Sequence, residues 1–393
     1  MQQIEYTYTQ DNVRLALARY KNPGGLPVIL AHGLAQNSFF WDFPVKNHSF
    51  ARYLFDKGYD VWLPCLRGHG RGALHSDNKS DWSWNIDDLA IYDVPAIIQK
   101  VLQMTSQKPF WVGHSMGGTL AYMYLQGALY TRRVVAKECI KIDGHVEYKN
   151  VHSAHVVACK EKADERNAQL NGLITVGSPV AMTWSHDPFL AKVINHPLWQ
   201  ELHVFSFLSN RKFLRSSLNK LPYLPVFSTL DVVEKMCGKW FQKMIHFPIA
   251  QIGTTKIFSL FWYPPNMNRH LVQTLMRESL NDICSQVLEQ FADWIEHRTF
   301  RSFPNGNEKP HIYSEHFSAI TLPLLIIAGE QDKIAKPSVL YREGFLKMGS
   351  AQKKYQCFDK FGHNDLCMGL RAPSKVFPYI EKWIAATTKH HFQ

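Results

Sequence analysis

Polar and apolar residues alternate twice near the start of the chain, over 4–9 (IEYTYT) and 14–20 (RLALARY). A period of two is the spacing of a strand with one covered face. Asp11 and Asn12 lie between the two runs and supply turn chemistry for a hairpin, which would form the edge of a sheet. The next apolar run, PVILAHG at 27–33, does not alternate. It is short, contains β-branched residues and follows Pro23, Gly24 and Gly25, as a strand buried on both faces would.

Beyond it the pattern predicts a helix over 47–57, a strand at 59–63 (YDVWL), a helix over about 87–103, a strand at 109–113 (PFWVG) and a helix over 115–130. The rhythm resumes with strands at 173–178 (LITVGS), 322–329 (LPLLIIAG) and 353–359 (KKYQCFD), and a last helix follows Pro373. Such alternation implies the α/β class, with a mostly parallel sheet flanked by helices.

Two stretches break the rhythm. Residues 131–172 are longer than one crossover connection needs, and read as a helix end followed by a surface insertion. Residues 181–310 are helical in pattern, for instance over 271–296, and rich in aromatics. An insertion there would sit as a cap over the carboxyl ends of the strands, where open parallel sheets bind ligands. The expected organisation is a core of 1–180 and 311–393 with a helical cap of 181–310.

The segment FWVGHSMGGTL sets Gly113, Ser115 and Gly117 in a GxSxG spacing, with an apolar strand before it and a helix after it. A serine on so sharp a strand-to-helix turn needs small neighbours on both sides. A serine hydroxyl also needs a base, and the base needs a group to orient it. His363 follows the strand at 353–359 and Asp332 follows the strand at 322–329, so both belong on the rim that carries the elbow. Asp332 is preferred over Asp359 and Glu330 because it lies in the loop after the penultimate strand. Backbone N–H groups of Met116, opening the elbow helix, and Leu34, after the strand ending at Gly33, are the expected oxyanion donors.

Other candidates read as structural. Asp365 is expected to cap a turn, His69 to belong to the scaffold, and Asp87, Asp88 and Asp93 to be helix-start and surface charges. Asp143, His145, Glu147, His152 and His155 cluster in the insertion, but with 19 histidines in the chain such clustering needs no metal, and no metal or other cofactor is expected. The seven cysteines show no zinc-type spacing and read as free thiols.

With 46% hydrophobic residues among 393, the chain can bury a large core without disulfides. A net charge of +11 favours acidic partners, yet the basic residues are spread along the chain and form no nucleic-acid motif, so no nucleic-acid partner is expected. The first thirty residues lack a continuous apolar stretch, which sets the expected location in the cytoplasm. Residues 239–266 are nearly free of acids and dense in Trp240, Phe241, Phe247, Phe261, Trp262 and Tyr263. They suit the lining of an acyl pocket or, together with Lys239, Lys243 and Lys256, a peripheral contact with a lipid surface.

Outside the cap and residues 131–172, the chain resembles the α/β-hydrolases, and four segments resemble the acid lipase and esterase branch. These are AHGLAQNSFFWDF, GYDVWLPCLRGHGRG, IDDLAIYDVPAII and GHNDLCMGLRAP. The resemblance implies Ser115, Asp332 and His363 as a catalytic triad, with Leu34 and Met116 as oxyanion donors. The expected function is hydrolysis of a carboxylic ester with a hydrophobic acyl group through an acyl-enzyme. Two other readings stay open: an acyltransferase using the same serine, and a lipid-binding protein on a hydrolase scaffold.

Overall fold

The computed structural model describes residues 2–78, 82–142, 145–182, 223–224, 259–304 and 309–390. Its centre is an eight-stranded sheet in the order β1-β2-β4-β3-β5-β8-β11-β12. The strands are β1 (Gln2–Tyr8), β2 (Arg14–Tyr20), β3 (Pro27–Ala31), β4 (Asp60–Pro64), β5 (Phe110–His114), β8 (Gly172–Val176), β11 (Leu324–Gly329) and β12 (Lys353–Phe358). β1 and β2 form the expected antiparallel edge hairpin, β2 runs antiparallel to β4, and the remaining neighbours are parallel.

β3, β4, β5, β8 and β11 are buried at every position, so they read as continuous apolar runs instead of alternating ones. Helices cover both faces. One face packs against residues 86–105 and the helix Met116–Leu125, the other against Phe50–Asp56 and the last helix, Ala372–His390. The 86–105 helix contains one wider, π-type turn at Leu89–Asp93.

The insertion at 131–172 does not open on a helix end. The elbow helix stops at Leu125, and the chain turns at Gly127 into a long antiparallel hairpin of β6 (Ala128–Ile142) and β7 (His145–Ala158), followed by the helix Lys160–Asn167. The overlooked signal is Asp143-Gly144 between two runs rich in β-branched residues, the sequence of a tight hairpin. Its base is tied to the core, with Ala128 and Val156 buried and the Tyr130 hydroxyl donating to Asp88 at 3.0 Å. The side chains of the histidine cluster at 145 and 152 lie outside the described residues.

The stretch 271–296 is likewise not one helix. It is helical to Ser279, breaks, and restarts as Ser285–His297. At the break Leu280 bridges to Gln36, the Asn281 N–H donates to the Ala35 carbonyl, and β10 (Ile283–Cys284) pairs with β9 (Tyr223–Leu224). Residues 183–222 and 225–258 of the expected cap, including Trp240, Phe241 and Phe247, lie outside the described residues. Of the described aromatics there, Trp262 is buried and Phe261 packs against the core, so these two serve packing. Among the described residues no helix is long and apolar enough to cross a membrane.

Asp87 and Asp93 are not surface charges. Asp93 lies beneath the sheet rim and accepts from the Arg67 guanidinium, itself fully buried and paired also with Asp11 at 2.8 Å. Asp87 accepts from Gln290, Tyr313 and the Phe303 amide. Asp87 and Asp88 both lie in the first turn of the helix, as expected, and Asp88 forms a capping box with Asn85. Buried charges survive only when paired, and removing one partner strands the other. Asp93→Ala is therefore expected to cost about 3–5 kcal/mol, read as a lowered midpoint of urea unfolding. A midpoint unchanged from the parent would contradict it.

Candidate active site

Strand β5 lies near the middle of the sheet, between β3 and β8, and delivers Ser115 at its carboxyl end. Ser115 has a backbone φ of +50° and ψ of −121°, a conformation that costs a non-glycine residue on the order of 1–3 kcal/mol. The surroundings impose it. The Ser115 N–H donates to the Val176 carbonyl at 2.9 Å, and the amides of Gly118 and Thr119 donate to the Ser115 carbonyl. Trp111 Nε1 on β5 donates to the Gly117 carbonyl at 3.0 Å, pinning the elbow helix to the strand that precedes it.

The flanking glycines have no room for a side chain. A Cβ on Gly113 would sit 2.4 Å from the Gly118 nitrogen, and one on Gly117 would sit 2.5 Å from the Ala31 carbonyl oxygen. Both obstacles are backbone atoms, which cannot rotate aside.

Two loops from neighbouring strands meet the elbow. His363 Nε2 lies 2.9 Å from Ser115 Oγ, and His363 Nδ1 lies 2.9 Å from Asp332 Oδ2. The other Asp332 oxygen accepts from the amides of Ile334 and Ala335, each at 2.8 Å. With Asp332 as acceptor, the histidine proton belongs on Nδ1, which leaves Nε2 as an acceptor facing the serine hydroxyl. All three side chains are buried.

The rivals of Asp332 point elsewhere. Glu330 accepts from the Lys360 amide at the surface, and the Asp359 side chain is hydrogen-bonded to Glu330 there. His69 belongs to the scaffold. It is buried, its Nδ1 bonds the Arg67 carbonyl, and its ring packs against His32 at 5.1 Å. Burial lowers both imidazoles, His32 to about 3 and His69 to about 4, so both are neutral.

Several residues at the site carried no clear sequence signal. Gly177 has φ +56°, and a Cβ there would come within 3.1 Å of Asp332 Oδ2 and 3.2 Å of His363 Nδ1. Gln36 accepts the Gly33 N–H at 2.9 Å and donates to Asn364 Oδ1 at 3.2 Å, so it bridges the turn after β3 and the loop of His363. His114, beside the serine, is fully buried. Gly177 and Gln36 belong to no spaced motif, His114 fills a position that the GxSxG spacing leaves open, and the partners of all three are distant in sequence.

Asp365 ties the His363 loop to the segment after residue 259. Its carboxylate accepts from the amides of Gly362 and Tyr263 and from Asn266 Nδ2. It thus does more than cap a local turn. Among the described residues no group of His, Cys, Asp and Glu is placed to hold a metal ion, and the five described cysteines are free.

Comparison with known proteins agrees with this architecture. The family model for the alpha/beta hydrolase fold matches residues 27–135. Human lipase member K is 25% identical over 94% of this chain and 84% of its own length. Human gastric triacylglycerol lipase is 39% identical over a shorter stretch, 26% of this chain and 27% of the relative. Among solved structures, an esterase from Thermogutta terrifontis superposes with a TM-score of 0.53 at 14% identity, covering 98% of this chain and 99% of that one. A monoacylglycerol lipase from Paleococcus ferrophilus also gives 0.53, at 15% identity, over 95% and 99%.

Burial pushes the Asp365 carboxyl up to about 6 from its ordinary 3.8, against the pull of its three donors. Between about pH 4 and 6 the folded chain keeps a proton that the unfolded chain has lost, so the stability this group contributes falls as pH rises through that window. Asp365→Asn does not titrate. The stability of the parent minus that of the variant, from urea unfolding, is expected to decline between those pH values and to level off above them; a difference that grows with pH would refute the assignment.

The GxSxG elbow, the sheet order and the alignments agree: the chain has the α/β-hydrolase fold and is similar to lipases and esterases.

Proposed function

We propose that this protein is a carboxylic ester hydrolase in which Ser115 is the nucleophile, His363 the general base and Asp332 its orienting acid. The observation that carries the reading is the continuous chain of two 2.9 Å contacts from Ser115 Oγ through the His363 ring to Asp332. His363 Nε2 takes the hydroxyl proton as Ser115 Oγ attacks the ester carbonyl carbon. Asp332, held by the Ile334 and Ala335 amides, keeps Nδ1 protonated and stabilises the imidazolium that forms.

The carbonyl oxygen gains negative charge in that step and needs donors already in place. The Met116 N–H, at the positive end of the elbow helix, and the Leu34 N–H, beside the tight turn at Gly33, fill that role. Collapse of the tetrahedral intermediate expels the alcohol, which takes the proton from His363 and leaves an acyl-enzyme. Water then repeats the sequence, with His363 as its base, and releases the acid.

The substrate is an ester with a hydrophobic acyl group. This rests on the relatives, named as lipases and including a triacylglycerol lipase. Beside the His363 loop the Asn364 amide donates to the Phe261 carbonyl at 2.7 Å, and Leu260, Phe261 and Trp262 pack with the core clusters, so this segment is anchored to the core. Residues 181–310, of which this segment is part, are read as the cap that closes over the acyl chain.

Ser115→Ala is expected to lower hydrolysis of p-nitrophenyl esters by several orders of magnitude, on the order of a millionfold, while the thermal unfolding profile is preserved. It should also abolish labelling by a fluorophosphonate probe. Activity across the ester series is expected to favour medium or long acyl chains over acetate. Undiminished cleavage by the alanine variant would rule out the serine mechanism, and a preference for acetate would rule out the apolar acyl pocket.

A further inference from the structure

The proposed chemistry makes no use of His114, yet this residue sits among the groups that carry it. Its ring is fully buried, with its centroid 4.8 Å from that of His363 and 4.4 Å from that of Phe40. Nδ1 lies 3.3 Å from Gln36 Oε1, and Nε2 lies 3.4 Å from the backbone carbonyl oxygen of His363.

Both of these partners are acceptors. Gln36 Oε1 already receives the Gly33 N–H, and Gln36 Nε2 donates to Asn364 Oδ1, so the Gln36 amide cannot turn over without setting a donor against a donor. A carbonyl oxygen can only accept. Only an imidazolium could satisfy both ends at once, and burial beside His363 and His32 holds His114 well below its ordinary pKa. The ring is neutral. It has one N–H for two acceptors, one on each of the loops that meet at the nucleophile.

We propose that His114 is a positioning residue standing on β5 between the turn at 33–36, which presents the Leu34 amide, and the loop that carries His363, with its single N–H bonded to one of them and its ring packed between both. The proposal rests on the assignment of Ser115 as nucleophile and His363 as base. The packing leaves no slack for another arrangement: a Cβ on Gly33 would come within 3.1 Å of His114 Nδ1 and of Ser115 Cβ. Oxyanion donor, nucleophile and base are thus set against one another through one ring and one amide. Losing that bond lets the donor and the base drift apart, which weakens the transition state more than substrate binding.

The test compares His114→Phe, which keeps a flat ring against Phe40 and His363, with His114→Asn and His114→Gln. Asn and Gln carry an N–H near the Nδ1 and Nε2 positions respectively. Steady-state kinetics on a p-nitrophenyl ester and thermal unfolding would be read for each, with Ser115→Ala in parallel. The Phe variant is expected to lose roughly 10- to 100-fold in kcat with KM changed by no more than about twofold, and at least one amide variant to recover most of the loss. If Ser115→Ala is inactive but His114→Phe keeps the parent kcat, or if neither amide variant improves on Phe, the positioning role is wrong. If Ser115→Ala stays active, the underlying serine assignment is what fails. Should His114→Phe not fold, His114→Leu, which likewise lacks an N–H, takes its place; the same fall in kcat at constant KM, recovered by an amide variant, supports the role, and an unchanged kcat overturns it.

Discussion

Ser115 is held in a left-handed backbone conformation by a hydrogen bond from its own amide to Val176, across the sheet, and by close contacts that admit glycine alone at 113 and 117. The rest of the site takes its coordinates from this constraint. A strained turn survives only where its surroundings over-determine it, and here they do so from both sides. β3 blocks the Gly117 position with the Ala31 and His32 carbonyls, while β8 receives the Ser115 amide. The serine therefore stands at a fixed height above the strand ends, and loops from β11 and β12 need only reach that point.

Those loops are held by buried polar contacts, since apolar packing is too non-directional to fix a loop to a few tenths of an ångström. Asp332 is clamped by two amides of its own loop. Gln36 and Asn364 join the β3 turn to the His363 loop, and Asp365 joins that loop to Tyr263 and Asn266. Further out, Arg67 ties the loop after β4 to Asp93 on the 86–105 helix and to Asp11 in the first hairpin, and Asp87 ties that helix to Gln290 and Tyr313 in the segments that follow residue 259. Each hub joins residues far apart in sequence and places few in motifs.

The strands were legible because burial on two faces demands continuous apolar runs, and the turns between them carry glycine, proline and polar residues. PVILAHG became β3 and LPLLIIAG became β11 within a residue or two at each end. The hairpin at 128–158 was missed although Asp143-Gly144 marks it, because the run before it continues smoothly from the elbow helix and no core strand beside it demands its register. The break in 271–296 was missed for a different reason. Its period is helical throughout, and the chain leaves the helix only because Leu280 and Asn281 pair with the turn at 35–36.

By itself the sequence determined the order of the strands in the central sheet along the chain, the elbow at Ser115 and the rim on which Asp332 and His363 stand, because these follow from periodicity and from residues adjacent along the chain. Only the tertiary structure decided that Asp87 and Asp93 are buried, that His114 lies between two acceptors, and that Gln36 spans to Asn364. A charged or polar side chain looks the same in sequence whether water or a distant partner satisfies it; the difference is made by which strands lie side by side, and that is a property of the folded sheet.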